Sequence, residues 1–174
     1  MEKRFQRTME ECGNVEGKKI IDIGCGSGRF MEALHRKGPA LILGVDFAPN
    51  MIEIAHNILH SQMPETPCKL VVGDFNRMEF EETFDIAIGI GLFDYIADPL
   101  TMLKKIRKVT SGRLIASFPL KGTFRAFIRK IRLSLYRCPV YFFSVDEVRN
   151  LLKNADFHQV KCETFGQLIF VAAE

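Results

Sequence analysis

No apolar run in this 174-residue chain approaches the roughly 18–20 residues that a membrane-spanning helix requires. The opening stretch, MEKRFQRTMEECG, carries charge throughout and has no apolar centre. It does not read as a secretory leader, and the expected location is cytoplasmic. The five cysteines, at 12, 25, 68, 138 and 162, include no C-x-x-C pair; an odd, scattered set suits reduced thiols rather than a disulfide framework. Repeats, low-complexity tracts and Pro/Ser-rich linkers are all missing, which leaves one domain spanning 1–174. Acids are absent between Pro99 and Val145, where eleven Lys and Arg occur, so that half is expected to carry a basic surface. The net charge of +3 is too small to imply a nucleic-acid partner by itself.

What is present is a globular composition, 47% apolar and 26% charged, with enough chain to bury a substantial core. Strand and helix alternate along it. KKIIDIG (18–24), ALILGVD (40–46), CKLVVGD (68–74), FDIAIGIG (84–91) and GRLIASFP (112–119) are short apolar runs that read as strands. Helices are expected over residues 1–17, through GRFMEALHRKG up to Gly38-Pro39, from Pro49 onward, and through DPLTMLKKIRKVT. A last helix lies in SVDEVRNLLKNA (144–155), where Ser144 and Glu147 form a capping box. Unbroken apolar strands point to a parallel sheet covered by helices. HQVKCETFG and QLIFVAAE then follow with no room for a helix between them, so they must pair as an antiparallel hairpin.

After the first strand the chain reads D-x-G-x-G-x-G: Asp22, Gly24, Gly26, Gly28. In open α/β sheets ligands bind at the carboxyl ends of the strands, and glycines there let backbone amides approach a ligand. The second strand ends in Asp46, at the distance where a carboxylate can take ribose hydroxyls. A dinucleotide fingerprint starting at Gly24 needs a small residue at 29, and Arg29 stands there. No Gly-Lys-Ser/Thr follows, so this is not a P-loop.

IIDIGCGSGRF, LGVDFAPNMIEIA, VVGDF and FDIAIGIGLFDYIADP, with the terminal hairpin, together resemble the class I S-adenosylmethionine-dependent methyltransferases over nearly the whole chain. The resemblance implies an α/β, Rossmann-like methyltransferase fold. Its central sheet would have seven mostly parallel strands, a C-terminal antiparallel hairpin and helices on both faces. It also implies S-adenosylmethionine as cofactor and S-adenosylhomocysteine as product. Asp22, Gly24 and Gly26 would then contact the methionine portion, with Cys25 and Gly28 in the same loop. Asp46 would accept both ribose hydroxyls, and Phe47 and Met51 would flank the adenine. Asp74 would accept from the adenine amino group, and the backbone of Phe75 would donate to a ring nitrogen. Gly89 and Gly91 would let the fourth strand pass under the methionine. More loosely, RFQRT before the first strand and the DY loop after the fourth are similar to small-molecule O-methyltransferases of quinone and tetrapyrrole synthesis.

Methyl transfer from a sulfonium needs alignment and exclusion of water more than a conspicuous catalyst. Asp94 and Tyr95 are the candidate substrate-side groups, with Asp94 as either a base or a loop residue, while Asp98 caps the next helix. No metal is expected: His56 and His60 are four apart, but HNILH lacks the glutamate of H-E-x-x-H. The basic, aromatic stretch 120–143 has three readings: a lid over an apolar or acidic small-molecule acceptor, a solvated helix, or a surface for a membrane or protein partner. The competing functions are a noncatalytic cofactor-binding partner and a nicotinamide-dependent oxidoreductase.

Overall fold

The apolar runs form strands and the amphipathic stretches form helices in this order: α1 (Glu2–Cys12), β1 (Lys19–Ile23), α2 (Arg29–His35), β2 (Leu41–Asp46), α3 (Pro49–Gln62), β3 (Cys68–Val72), β4 (Phe84–Gly89), α4 (Pro99–Val109), β5 (Thr110–Pro119), α5 (Val145–Asn154), β6 (Val160–Phe165) and β7 (Leu168–Ala173). The computed structural model describes residues 2–62, 67–122 and 140–174. Most of the stretch 120–143, including the helical pattern expected there, lies outside the described residues, as do Cys138 and the side chain of His60.

Seven strands form one sheet in the order β3-β2-β1-β4-β5-β7-β6. β1 pairs in parallel with both β2 and β4, so the chain reverses its direction of travel across the sheet beside β1. That reversal opens a crevice at the carboxyl ends of β1 and β4. β7 runs antiparallel to both β5 and β6, as the short link at Gly166 required. The expected fold class is the observed one.

Alternation along each strand splits the core into two layers. Ile21, Ile23, Ala87, Leu114, Ala116 and Phe118 pack with Met102, Leu103 and Ile106 of α4 and Val148 and Leu152 of α5. Ile20, Ile42, Ile86, Ile88 and Ile115 face the other way, onto Cys12 of α1, Met31 and Leu34 of α2, and Leu59 of α3. Fully burying one of the Leu, Ile, Val, Phe or Met side chains among them stabilises the fold by about 1.5–3 kcal/mol.

Several boundaries differ from expectation for local reasons. α1 stops at Cys12 rather than reaching residue 17, because Gly13 adopts a left-handed φ of 60°. α2 ends at His35, ahead of Gly38-Pro39, and Gly38 closes a following turn at φ 72°. Two caps form as read. Asp98 accepts from Thr101 N–H at 3.1 Å, and Ser144 and Glu147 make the reciprocal capping box.

Candidate active site

β1 ends at Ile23 and α2 begins at Arg29, so the chain must turn within the glycine segment. Gly24, Gly26 and Gly28 all have left-handed φ, at 72°, 53° and 77°, where a side chain is strained. They are bare for different reasons. A Cβ on Gly28 would stand 3.2 Å from Cβ of Ala55 in α3, and one on Gly24 would stand 3.4 Å from a methyl of Leu92. One on Gly26 would meet nothing within 4 Å. Helix packing adds a second reason at Gly28, whereas at Gly24 a Cβ would make only ordinary contact with Leu92, so its backbone φ is what calls for glycine. Gly26 alone of the three faces open space.

This loop is tied to β2. Gly24 and Cys25 N–H both donate to the Val45 carbonyl, at 2.7 and 3.1 Å. Asp46 accepts from Gly26 N–H through one oxygen and from Ala48 N–H through the other, each at 2.9 Å. A carboxylate oxygen has two acceptor directions, so each keeps one for a ligand. Asp22 lies beneath, only 2% exposed, and its Oδ2 has no hydrogen-bond partner among the described residues. Burial, and then the charge of Asp46, push its carboxyl up to about 7. Burial likewise pushes the Cys25 thiol up, with Asp22 and Asp46 adding to it, which disfavours a nucleophilic thiolate.

Along the rim, Phe47 is 79% exposed and Met51 stands partly exposed one helical turn on. Gly73 N–H donates to the Asp46 carbonyl at 2.9 Å, which brings the end of β3 alongside. Asp74 then caps a single 3-10 turn, Phe75–Arg77, accepting from Asn76 N–H at 3.0 Å. Its side chain stays half exposed, while the ring of Phe75 is buried against Phe80.

Across the crevice, β4 runs out at Gly89 and the chain turns at Gly91, φ 81°. The side chain of Leu92 lies against both Gly24 and Gly89. Asp94 is 5% exposed and its carbonyl accepts from Tyr141 N–H at 3.0 Å, whereas Tyr95 stands half exposed. Phe93, Phe118 and Phe143 make a continuous aromatic wall behind them, with ring centroids 4.1 and 5.4 Å apart. The two ends of the basic stretch meet at this wall, where Lys121 N–H donates to the Phe143 carbonyl at 2.8 Å.

The structure therefore gathers Asp22, Gly24, Cys25, Gly26, Asp46, Phe47, Met51, Asp74 and Phe75 at the tips of β1–β3. Gly89, Gly91, Asp94 and Tyr95 gather at the tip of β4. Sequence reasoning passed over Arg4. α1 leans on the start of α2 through Phe5 stacked on Phe30 at 5.4 Å, with the Arg29 guanidinium 4.4 Å from the Phe5 ring centroid. That packing carries the Arg4 guanidinium to 4.0 Å from where a Cβ on Gly91 would sit. Among the described residues no group of three or more His, Cys, Asp or Glu is placed to hold a metal ion, and no helix is long and apolar enough to cross a membrane. A separate cleft of about 440 Å³, lined by Glu11, Arg113, Lys161 and Glu174, lies at the opposite ends of the strands; its charges pair with one another.

The sequence profile of a family described as a methyltransferase domain matches residues 14–156. The chain belongs to that family. This methyltransferase is 32% identical to the demethylmenaquinone methyltransferase of Lactococcus lactis subsp. lactis, over 97% of this chain and 71% of that protein. It is 28% identical to the ubiquinone biosynthesis O-methyltransferase of Coxiella burnetii over 71% of this chain, and the match spans about half, 52%, of that relative's length. Among solved structures it superposes on the magnesium protoporphyrin IX methyltransferase of Synechocystis PCC 6803 with bound S-adenosylhomocysteine. That match has a TM-score of 0.80 and 18% identity, over 98% of this chain and 81% of the other. The membership and fold read from the motifs hold, and the nicotinamide alternative is not favoured.

Proposed function

We propose that this methyltransferase moves a methyl group from S-adenosylmethionine to a small-molecule acceptor, with the crevice between the tips of β1 and β4 as its active site. The observation that carries this reading is the pairing of Asp46 with Gly26: a carboxylate with one free acceptor direction per oxygen, fixed beside a bare, open loop.

When bound, the cofactor supplies a methyl group already activated on a sulfonium, so the protein's task is placement in a dry site. Asp46 would grip the two ribose hydroxyls. Asp22 would turn its unpartnered oxygen to the ammonium of the methionine half, with Gly24, Cys25 and Gly26 supplying the backbone it rests on. Arg4, at Gly91, would meet the opposite charge of the same amino acid, its carboxylate. Phe47 and Met51 offer apolar contact to the adenine, while Asp74 and the backbone of Phe75 read its edge. Gly28 serves by admitting α3. On the acceptor side, Asp94 would receive a proton from a hydroxyl or amine as the methyl arrives, with Tyr95 beside it.

The acceptor is a small molecule with an apolar ring or an acidic group. The basic stretch beginning at Leu120, with the phenylalanines in its sequence, supports that choice. So do the quinone pathways in the names of two relatives. Calorimetry with S-adenosylhomocysteine and with NAD, then methyl transfer from labelled cofactor to a panel of quinols, tests the proposal. Binding of the first alone, followed by transfer, is expected. Folded protein with no affinity for S-adenosylhomocysteine would refute it.

A further inference from the structure

Ser117 is the odd residue of β5. It sits in LIASFP, a strand buried on both faces, and it is fully buried itself. By parity it shares the face of Ile115, toward α1–α3. A hydroxyl in such a place costs free energy unless it is bonded. Its Oγ accepts from Gly91 N–H at 2.9 Å, so a strand neighbouring β4 holds the turn that follows β4. Gly91 adopts its left-handed φ there, and the next residue, Leu92, lays one methyl 3.4 Å from a Cβ position on Gly24 and the other 3.4 Å from one on Gly89. Leu92 thus spans the tips of β1 and β4, the two strands that bound the crevice.

We infer that Ser117 is a positioning residue for the methionine half of the cofactor: by holding Gly91 it seats Leu92 across Gly24 and Gly89 as the apolar floor of that half. This rests on the proposed cofactor site and adds two residues to it, one contacting and one acting through another. The adenosine half depends instead on Asp46, Phe47, Met51 and Asp74, none of which touches Ser117 or Leu92 in the contacts described above. The two halves of the ligand should therefore respond differently.

The test compares two ligands by calorimetry on the intact chain: S-adenosylhomocysteine, which has both halves, and 5′-methylthioadenosine, which lacks the amino acid. Ser117→Ala should weaken S-adenosylhomocysteine on the order of tenfold, the scale of one lost buried hydrogen bond, and leave methylthioadenosine within about twofold. Leu92→Ala should show the same split without touching the buried hydroxyl, and decides the matter should Ser117→Ala fail to fold. Equal weakening of both ligands, or of neither, overturns the inference while leaving the active site standing. Wild-type protein that binds neither ligand would remove the active site, and the inference with it.

Discussion

Asp22 is a carboxyl placed where a carboxylate is unwelcome. The native state holds its proton more tightly than the unfolded chain does, since its carboxyl rises from 3.8 to about 7. The stability of the folded protein should therefore fall as pH climbs from the ordinary carboxyl range to about 7, and level off above it. Asp22→Asn removes that penalty and should raise stability by roughly 1–3 kcal/mol at pH 8, with the gain shrinking toward pH 5. The same variant should bind S-adenosylhomocysteine more weakly, having no charge for the ammonium. Melting curves from pH 5 to 8.5 check the first half; a variant no more stable than wild type at pH 8 would contradict it. The glycines separate in a similar way. Gly28→Ala must push against Ala55 as well as adopt a strained φ, and should cost more than the ~1 kcal/mol expected of Gly26→Ala. Gly26→Ala should instead lose most cofactor affinity at that small cost, as urea melts and calorimetry on the pair would show. The loop and Asp46 were legible because they follow one another at short, fixed spacing. Arg4, Leu92 and Ser117 were not, because their meeting at Gly91 depends on which strands lie side by side. Ser117 left one trace, a hydroxyl inside an unbroken apolar run.

Among the elements, strands were read to within two residues because short apolar runs begin and end abruptly. Helix ends were less legible: Gly13 stops α1 early, and α2 ends at His35 before Gly38 is reached. Side-chain caps were the clearest signals of all. Ser144→Ala breaks the capping box that starts α5, whose Val148 and Leu152 are fully buried, and should cost about 0.5–2 kcal/mol in denaturant titration. A loss below that range would mean that core packing alone sets the start of the helix. The 3-10 turn at Phe75–Arg77 carried no periodic signal, being a single turn long. It nevertheless explains how Asp74 can cap a turn and remain half exposed at the rim.

For the molecule as a whole, topology decides what the site is made from. The crossing from β3 to β4 sets β4 beside β1 and brings loops distant in sequence to one crevice, which the alternation of strand and helix foretold. What it could not foretell is the course of α1. One end of that helix rests on α2 through Phe5 and Phe30. Further along, Arg7 reaches Glu163 of β6 at 2.9 Å, and Arg113 of β5 and Lys161 of β6 both reach Glu11. A strut so anchored joins the outermost strand to the mouth where Arg4 stands. Glu163→Gln, remote from any ligand, should lower stability by no more than about 1 kcal/mol, as partly exposed ion pairs do. It should nonetheless raise the KM for S-adenosylmethionine, and added salt should narrow the gap to wild type. Charge lost at the sheet's far margin would then register as a weaker hold on the adenosyl cofactor, with little change in folding.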